Sequence, residues 1–391
     1  MTRLPRLRRL LQRDGRRRRA RTATAVTLAT ASLAATVTAG TASAAEPSQM
    51  LVGMFDGTGH TAADTRAVSG TTPATALLFS NFSDQSINDV PSALSRAWND
   101  GSVPVLTLEF DTDGNPNAGA RGGGGGAQRD SAAVDTAIAH GRMDARIDRV
   151  ARSVSRFVAG DDGRPGTADD RKVYIRPGHE MNGDWYRWSA TSRQSPADYV
   201  DAYRHIHGRF DAAGLTSRNA VQYIWSPMAC GNQGLCSSGG NPADYYPGGD
   251  VVDWVGVDAY NWGNTRSRST WESPETILRR SLDQVADIAP GKPLSIPETG
   301  TPSDAGGDKN QWFNDLYGFT SYYRHGSDGR GVKMMNYFNV AKNEGNRWID
   351  WTAVRSSDDH RFPAFASMMR RGNVVGGDTA RHVSTAAFRG R

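Results

Sequence analysis

Glu180 and Glu298 are the residues of this sequence best placed to do chemistry. Each ends a short apolar run: Ile175-Arg-Pro-Gly-His-Glu180 in one case, Leu294-Ser-Ile-Pro-Glu298-Thr-Gly300 in the other. Two carboxyls facing each other across a polar cleft are the equipment of glycoside hydrolysis. Flat side chains crowd both. Trp185, Tyr186 and Trp188 follow Glu180, and Tyr260 and Trp262 end the run Val257-Asp-Ala-Tyr-Asn-Trp262. Aromatic faces suit the C–H faces of sugar rings, whose hydroxyls then hydrogen-bond outward. Taken singly, a glutamate at a strand end is often a structural acceptor for a neighbouring arginine, and Arg176 is close in sequence to Glu180. The aromatic company turns the reading toward carbohydrate. Some of the ten tryptophans must be core, and Trp225 and Trp254 are assigned there. Glu109, in Thr107-Leu-Glu109-Phe110, either touches a sugar hydroxyl or holds a loop.

Such residues need a scaffold that delivers several strand ends to one rim. Eight apolar, β-branched runs read as strands: Leu51–Phe55, Thr75–Ser80, Val103–Phe110, Lys172–His179, Ala220–Pro227, Val251–Asn261, Pro293–Gly300 and Val332–Asn339. Most are nearly continuous in apolar character, as strands buried on both faces are. Helical periodicities lie between them, such as Ile147, Val150, Ala151, Val154, Phe157 and Val158, or Val200, Tyr203, Ile206, His207 and Phe210. Ser195, Pro196 and Asp198 form a start signal for the second of these helices. The fold class predicted is α/β, a (β/α)8 TIM barrel; a doubly wound open sheet is the alternative. Catalytic groups in such barrels come from the C-terminal ends of strands. The 118 residues between the two glutamates fit strands four and seven.

Other constellations fall away. His179-Glu180 lacks a second histidine four residues beyond the first, because position 183 is glycine, so the zinc-protease pattern fails. No G-x-S-x-G elbow and no P-loop occur. His205 and His207 lie on one helix without obvious ligand partners; His207 fits the apolar stripe and His205 is expected to face solvent. The Asp-rich stretch 161–170 lacks the spacing of a helix–loop–helix calcium site and reads as a solvated turn. Cys230 and Cys236, six apart in a Gly-rich segment, read as a small disulfide-closed loop rather than a metal site. No cofactor and no metal are expected.

Charge would suggest a nucleic-acid partner, but it is misplaced for that. Ten of the 46 basic residues, all Arg, fall in residues 1–44 beside a single acid, Asp14; the remainder holds 36 basic and 40 acidic residues. The same segment runs from an Arg-rich start through a small-residue stretch, Ala23 to Val37, to Ala42-Ser43-Ala44, the order of an export signal with its cleavage site. The arginine run permits a Sec or a twin-arginine route. Later residues contain no apolar run long enough to span a membrane. Residues 1–44 are therefore expected to be a signal peptide, 45–370 one catalytic domain and 371–391 a polar C-terminal tail. Arg121 to Ala127, glycine-rich, reads as a flexible loop on the active face. The protein is expected to be secreted (extracellular) and monomeric, with no nucleic-acid partner and no membrane attachment after cleavage.

Several ordered motifs carry a resemblance to a known family. His179-Glu-Met-Asn-Gly-Asp-Trp-Tyr-Arg-Trp188 resembles the acid/base motif of glycoside hydrolase family 26, best known for β-mannanases. Ser295 to Gly300 resembles its nucleophile motif, Val252 to Asn261 its sixth-strand motif, and Ile138-Ala-His-Gly-Arg-Met-Asp144 its lead-in to the fourth strand. The resemblance covers roughly residues 50–370. It implies a barrel, a retaining mechanism with Glu180 as acid/base and Glu298 as nucleophile, and a hydrogen bond from Tyr260 to Glu298. His179, Trp185, Trp188, Tyr260, Trp262 and Glu109 would line the sugar site. Two positions depart from the pattern: Pro297 replaces a small polar residue, and Glu109 stands where mannanases carry other polar groups. The substrate implied is a polysaccharide, β-1,4-mannan first, with mixed-linkage β-glucan and β-1,3-xylan as alternatives. A non-catalytic polysaccharide-binding protein, or a secreted structural or adhesion protein, would not need both glutamates.

Overall fold

The computed structural model describes residues 46–57, 62–112, 133–189, 195–215, 220–377 and 385–391. The leader reading of residues 1–44 and the glycine-rich stretch 121–127 lie outside them. Eight parallel strands run in chain order: β1 (Met50–Phe55), β2 (Thr75–Asn81), β3 (Val103–Glu109), β4 (Val173–Pro177), β5 (Val221–Trp225), β6 (Trp254–Tyr260), β7 (Leu294–Gly300) and β8 (Val332–Phe338). Each pairs with the next, and β8 pairs back onto β1 over five residue pairs from Leu51–Met334 to Phe55–Phe338. The sheet is closed, which makes the fold a (β/α)8 barrel rather than an open doubly wound sheet. Closure leaves no free edge, and burial on both faces explains why the strands read as apolar runs.

The helices follow from local chemistry. In α5 (Pro196–Ala212) Ser195 and Asp198 form a reciprocal capping box with proline in the first turn. In α4 (Asp144–Val158), preceded by α1 (Ala62–Ser69), α2 (Asp84–Asn99) and α3 (Val134–Ala139), the 3.6-residue stripe from Ile147 to Val158 is buried. Toward the C-terminus, α6 (Pro274–Ile288), α7 (Lys309–Tyr322) and α8 (Pro363–Met369) complete the ring. His205, expected to face solvent, is only partly exposed and meets Asp144 of α4 at 2.6 Å; helix-to-helix register, invisible in one-dimensional spacing, brings them together. His207 is half-buried against the Tyr223 ring.

Part of the segment read as a polar tail carries structure. Val374–Val375 pairs parallel to β1, and Phe388, in the last helical turn, is buried against Tyr174 with ring centroids 4.6 Å apart. The Tyr174 hydroxyl donates to the Phe388 carbonyl. These few contacts sit among polar neighbours, so no periodicity announces them. Trp225 and Trp254 are fully buried, as assigned. In the Asp161–Asp170 loop the carboxylates turn on their own backbone: Asp169 accepts from the amides of Asp161 and Asp162, Asp170 from that of Gly166.

One irregularity matters for the site. Between β6 and β7 the register steps from Gly256–Ser295 to Asp258–Glu298, two residues on one strand against three on the other. Pro297, which cannot donate to a ladder, sits in this bulge. Its ring lies so close to Gly256 that a Cβ there would come within 2.6 Å of it. A bulge re-aims the side chain that follows it; here that side chain is Glu298, brought opposite Asp258.

Candidate active site

Glu298 leaves β7 buried, with donors at both carboxyl oxygens. The Arg176 guanidinium pairs with Oε1 through Nη2, and the Tyr260 hydroxyl donates to Oε2 at 2.6 Å. Arg176 was the candidate partner of Glu180 on sequence proximity. The structure corrects that. Its Nη1 reaches both oxygens of Asp258 at 3.0 and 2.9 Å, its Nε donates to Thr107, and its remaining nitrogen goes to Glu298. A fully buried charge is tolerable only when paired and hydrogen-bonded throughout, and this guanidinium is. Burial would lower its pKa, but Asp258 and Glu298 outweigh that and hold it above the ordinary value.

Glu180 sits in a different environment. The chain passes β4 through Gly178 and His179 and places Glu180 with a positive φ of 54°. Its carboxyl is buried, and Oε2 accepts from the Trp185 indole N–H at 2.9 Å. Burial first, then the nearby Glu298 charge, pushes its pKa up to about 8. Trp185 folds back over Gly183, where an added Cβ would lie 2.5 Å from the ring, and remains 36% exposed. Glycine at 183, which excluded the zinc-protease pattern, is thus what lets this indole reach Glu180.

His179 is buried. Its Nε2 lies 3.9 Å from Glu298 Oε1 and 3.0 Å from the Tyr186 hydroxyl. Burial, aided by the Arg176 charge, holds its pKa well below the usual histidine value, so the imidazole is neutral. Glu109 ends β3 buried, and burial, then Asp111 and Glu298, raises its pKa well above the carboxylate range. A neutral carboxyl in this position can donate as well as accept.

The aromatic residues divide. Trp185 faces the opening. Trp188, expected to line the sugar site, is 2% exposed, stacked on Tyr186 at 4.1 Å, with its indole N–H on the His179 carbonyl. It packs behind the site and props up His179. Trp262 stands edge-on to Trp351 at 4.8 Å, and the Arg266 guanidinium covers one of its faces. Tyr260 is fixed by Trp351 and Phe338. Sequence reasoning missed Asp258 as a site residue, although a signal existed: two positions before Tyr260 on the same strand, it must share that residue's face. It also missed Asn182, whose role depends on a contact with the loop after β5.

Comparison with known proteins bears on the family and the fold. The family model described as Glycosyl hydrolase family 26 matches residues 45–328. Endoglucanase H of Acetivibrio thermocellus is 33% identical over 184 residues, 46% of this chain and 18% of that protein. A mannan endo-1,4-beta-mannosidase of Bacillus subtilis is 22% identical over 216 residues, 55% of this chain and 52% of that protein. The chain thus spans less than two thirds of the curated relatives it matches. The solved catalytic domain of a GH26 endo-beta-1,4-mannanase from Bacillus sp. JAMB-750 shares the fold, with a TM-score of 0.59 at 18% identity over 88% of this chain and 90% of that one.

Proposed function

Because the chain belongs to glycosyl hydrolase family 26, we propose that it is a retaining endo-β-glycanase acting on a β-linked polysaccharide, β-1,4-mannan in the first place. The observation that carries this reading is the contrast between two glutamates at one rim. Glu180 is pushed up to about 8 by burial and so holds a proton at neutral pH; Glu298 has an arginine and a tyrosine donating to its two oxygens. Glu180 protonates the departing glycosidic oxygen while Glu298 attacks the anomeric carbon. The bond from the sugar to the leaving oxygen breaks, an ester to Glu298 forms, and Glu180 becomes a carboxylate. That carboxylate then takes a proton from water as the water displaces Glu298. Neutral His179 and Glu109 offer hydrogen bonds to sugar hydroxyls, and Trp185 offers a flat face. No step calls on a metal or an organic cofactor.

A second substrate reading has its own support. The relative at 33% identity is an endoglucanase, and Glu109 departs from the mannanase pattern, so mixed-linkage β-glucan is the competing substrate. Reducing-sugar release from mannan, mixed-linkage glucan and β-1,3-xylan separates the readings. Turnover on mannan at least tenfold above the others is expected, and faster release from glucan would move the substrate while leaving the mechanism intact. Proton NMR of the first product should show the β anomer, since two inversions cancel; initial α anomer would remove Glu298 as nucleophile. Export is part of the same proposal, supported by the leader reading and by the Cys230–Cys236 disulfide, a bond that persists in oxidising compartments.

A further inference from the structure

Glu180 has a backbone that asks for an explanation. At φ 54° it is one of two non-glycine residues with positive φ among those described. For an L-residue that conformation is strained, and such strain persists only where the surroundings over-determine it. Part of the constraint is the Glu180 amide, which donates to the Ser226 carbonyl at 2.9 Å. The rest comes two residues on. Asn182 is fully buried, and its side-chain amide is spent entirely on the segment after β5. Nδ2 donates to the carbonyls of Met228 at 2.8 Å and Cys236 at 2.7 Å; Oδ1 accepts from the Met228 amide at 2.8 Å.

The two anchors differ in what fixes them. Met228, just beyond β5, makes an isolated parallel bridge to Asp258 of β6. Cys236 belongs to the small loop that its disulfide with Cys230 closes. That loop is held by the Cys236 amide on the Met228 carbonyl, by an Ala229–Leu235 bridge and by the Leu235 amide on Gln284 of α6. With the cystine open, one of the two Asn182 donors loses its fixed acceptor, and a buried donor without a partner is costly. The β4 loop can then relax toward negative φ, carrying the Glu180 carboxyl away from Trp185 and the cleft.

We propose that Asn182 is a positioning residue through which the Cys230–Cys236 loop holds Glu180 in its strained, cleft-facing conformation, so that opening the disulfide weakens acid catalysis. The inference rests on Glu180 being the acid. Three enzymes test it: Asn182→Ala, the double variant Cys230→Ser/Cys236→Ser, and their combination, each compared with wild type on an unactivated substrate and on a 2,4-dinitrophenyl glycoside. Each of the first two should lose about tenfold in kcat/KM, which reads the first, acid-assisted step, on the unactivated substrate, in keeping with one buried hydrogen bond, and less than twofold on the activated one. The combined variant should lose little more than Asn182→Ala alone, because both act along one path. Equal losses on both substrates, no loss, or multiplicative losses in the combination overturn the proposal. Should Asn182→Ala not fold, the cysteine variant supplies the same comparison, with circular dichroism confirming its fold. Glu180→Gln, run on the same substrates, keeps the premises apart. If it fails to discriminate between leaving groups, the acid assignment falls; if it discriminates and the positioning variants do not, the positioning inference falls alone.

Discussion

The ends of β4 and β7 deliver the same side chain to the same rim, and they treat it in opposite ways. At β7 the glutamate is still within the strand. A bulge at Pro297 aims it, and a buried arginine and a tyrosine donate to its two oxygens. At β4 the glutamate stands beyond the strand in a loop with positive φ, and its partner is one indole N–H. One environment aims a donor at each carboxyl oxygen. The other offers burial, the neighbouring Glu298 charge and a single neutral donor, so that the proton stays on. Environments that drive two equivalent acids apart are how acid and base roles are divided between them.

The largest test of that contrast removes the β7 side. Glu298→Ala should lose roughly 10³-fold or more in kcat, since no other group can form the covalent intermediate. Added azide should restore turnover of an activated aryl glycoside and yield the α-glycosyl azide, because the small anion enters from the face Glu298 vacated. A β-glycosyl azide would mean that the two ends have been assigned the wrong way round.

Removing the β4 side should cost less and depend on the leaving group. Glu180→Gln is expected to lose about 10²–10⁴-fold in kcat/KM on polysaccharide, yet to retain near wild-type kcat/KM on a 2,4-dinitrophenyl glycoside, whose leaving group needs no protonation; kcat there should fall, because the water step still needs the base. The pH profile sharpens this. A raised pKa keeps the proton on Glu180 through neutrality, so kcat/KM should hold up to about pH 8 and fall as pH rises through that value. The glutamine variant should lack that limb. A profile already falling at pH 5, where an exposed glutamate titrates, would show that burial does not set the acid's pKa.

Much of this contrast was legible before any coordinates. The eight strands, their order and the arrival of both glutamates at strand ends follow from apolar runs and spacing, because a strand buried on both faces leaves a plain signature. The divided roles of Trp185 and Trp188 do not follow. Three positions apart in one loop, they differ only in what folds over them: one lies on a glycine at the opening, the other under Tyr186. The partners of Arg176 do not follow either. Nearness in sequence offered Glu180, whereas β4 points its side chain across the barrel to β6 and β7. Contacts across a closed sheet have no one-dimensional spacing, and neither does the pairing of His205 with Asp144. Val374–Val375 and Phe388 were invisible because short buried pieces in a polar stretch make no period.

The smallest test asks whether the β7 environment needs both of its donors. Tyr260→Phe deletes the hydroxyl that donates to Glu298 Oε2 and leaves Arg176 at Oε1. The ring is wedged against Trp351 and Phe338 at 5.1 and 5.8 Å, so phenylalanine can occupy the same place and the thermal midpoint should move little. A hydrogen bond to a charged group contributes about 1.5–3 kcal/mol, which bounds the rate loss at roughly 10–100-fold. The loss should appear in kcat with little change in KM, because the hydroxyl acts by orienting the nucleophile. It should also be the same for good and poor leaving groups, which separates it from any effect relayed to Glu180. An unchanged kcat would mean that Arg176 alone holds the carboxylate, and the β7 end would then resemble the β4 end in resting on a single donor.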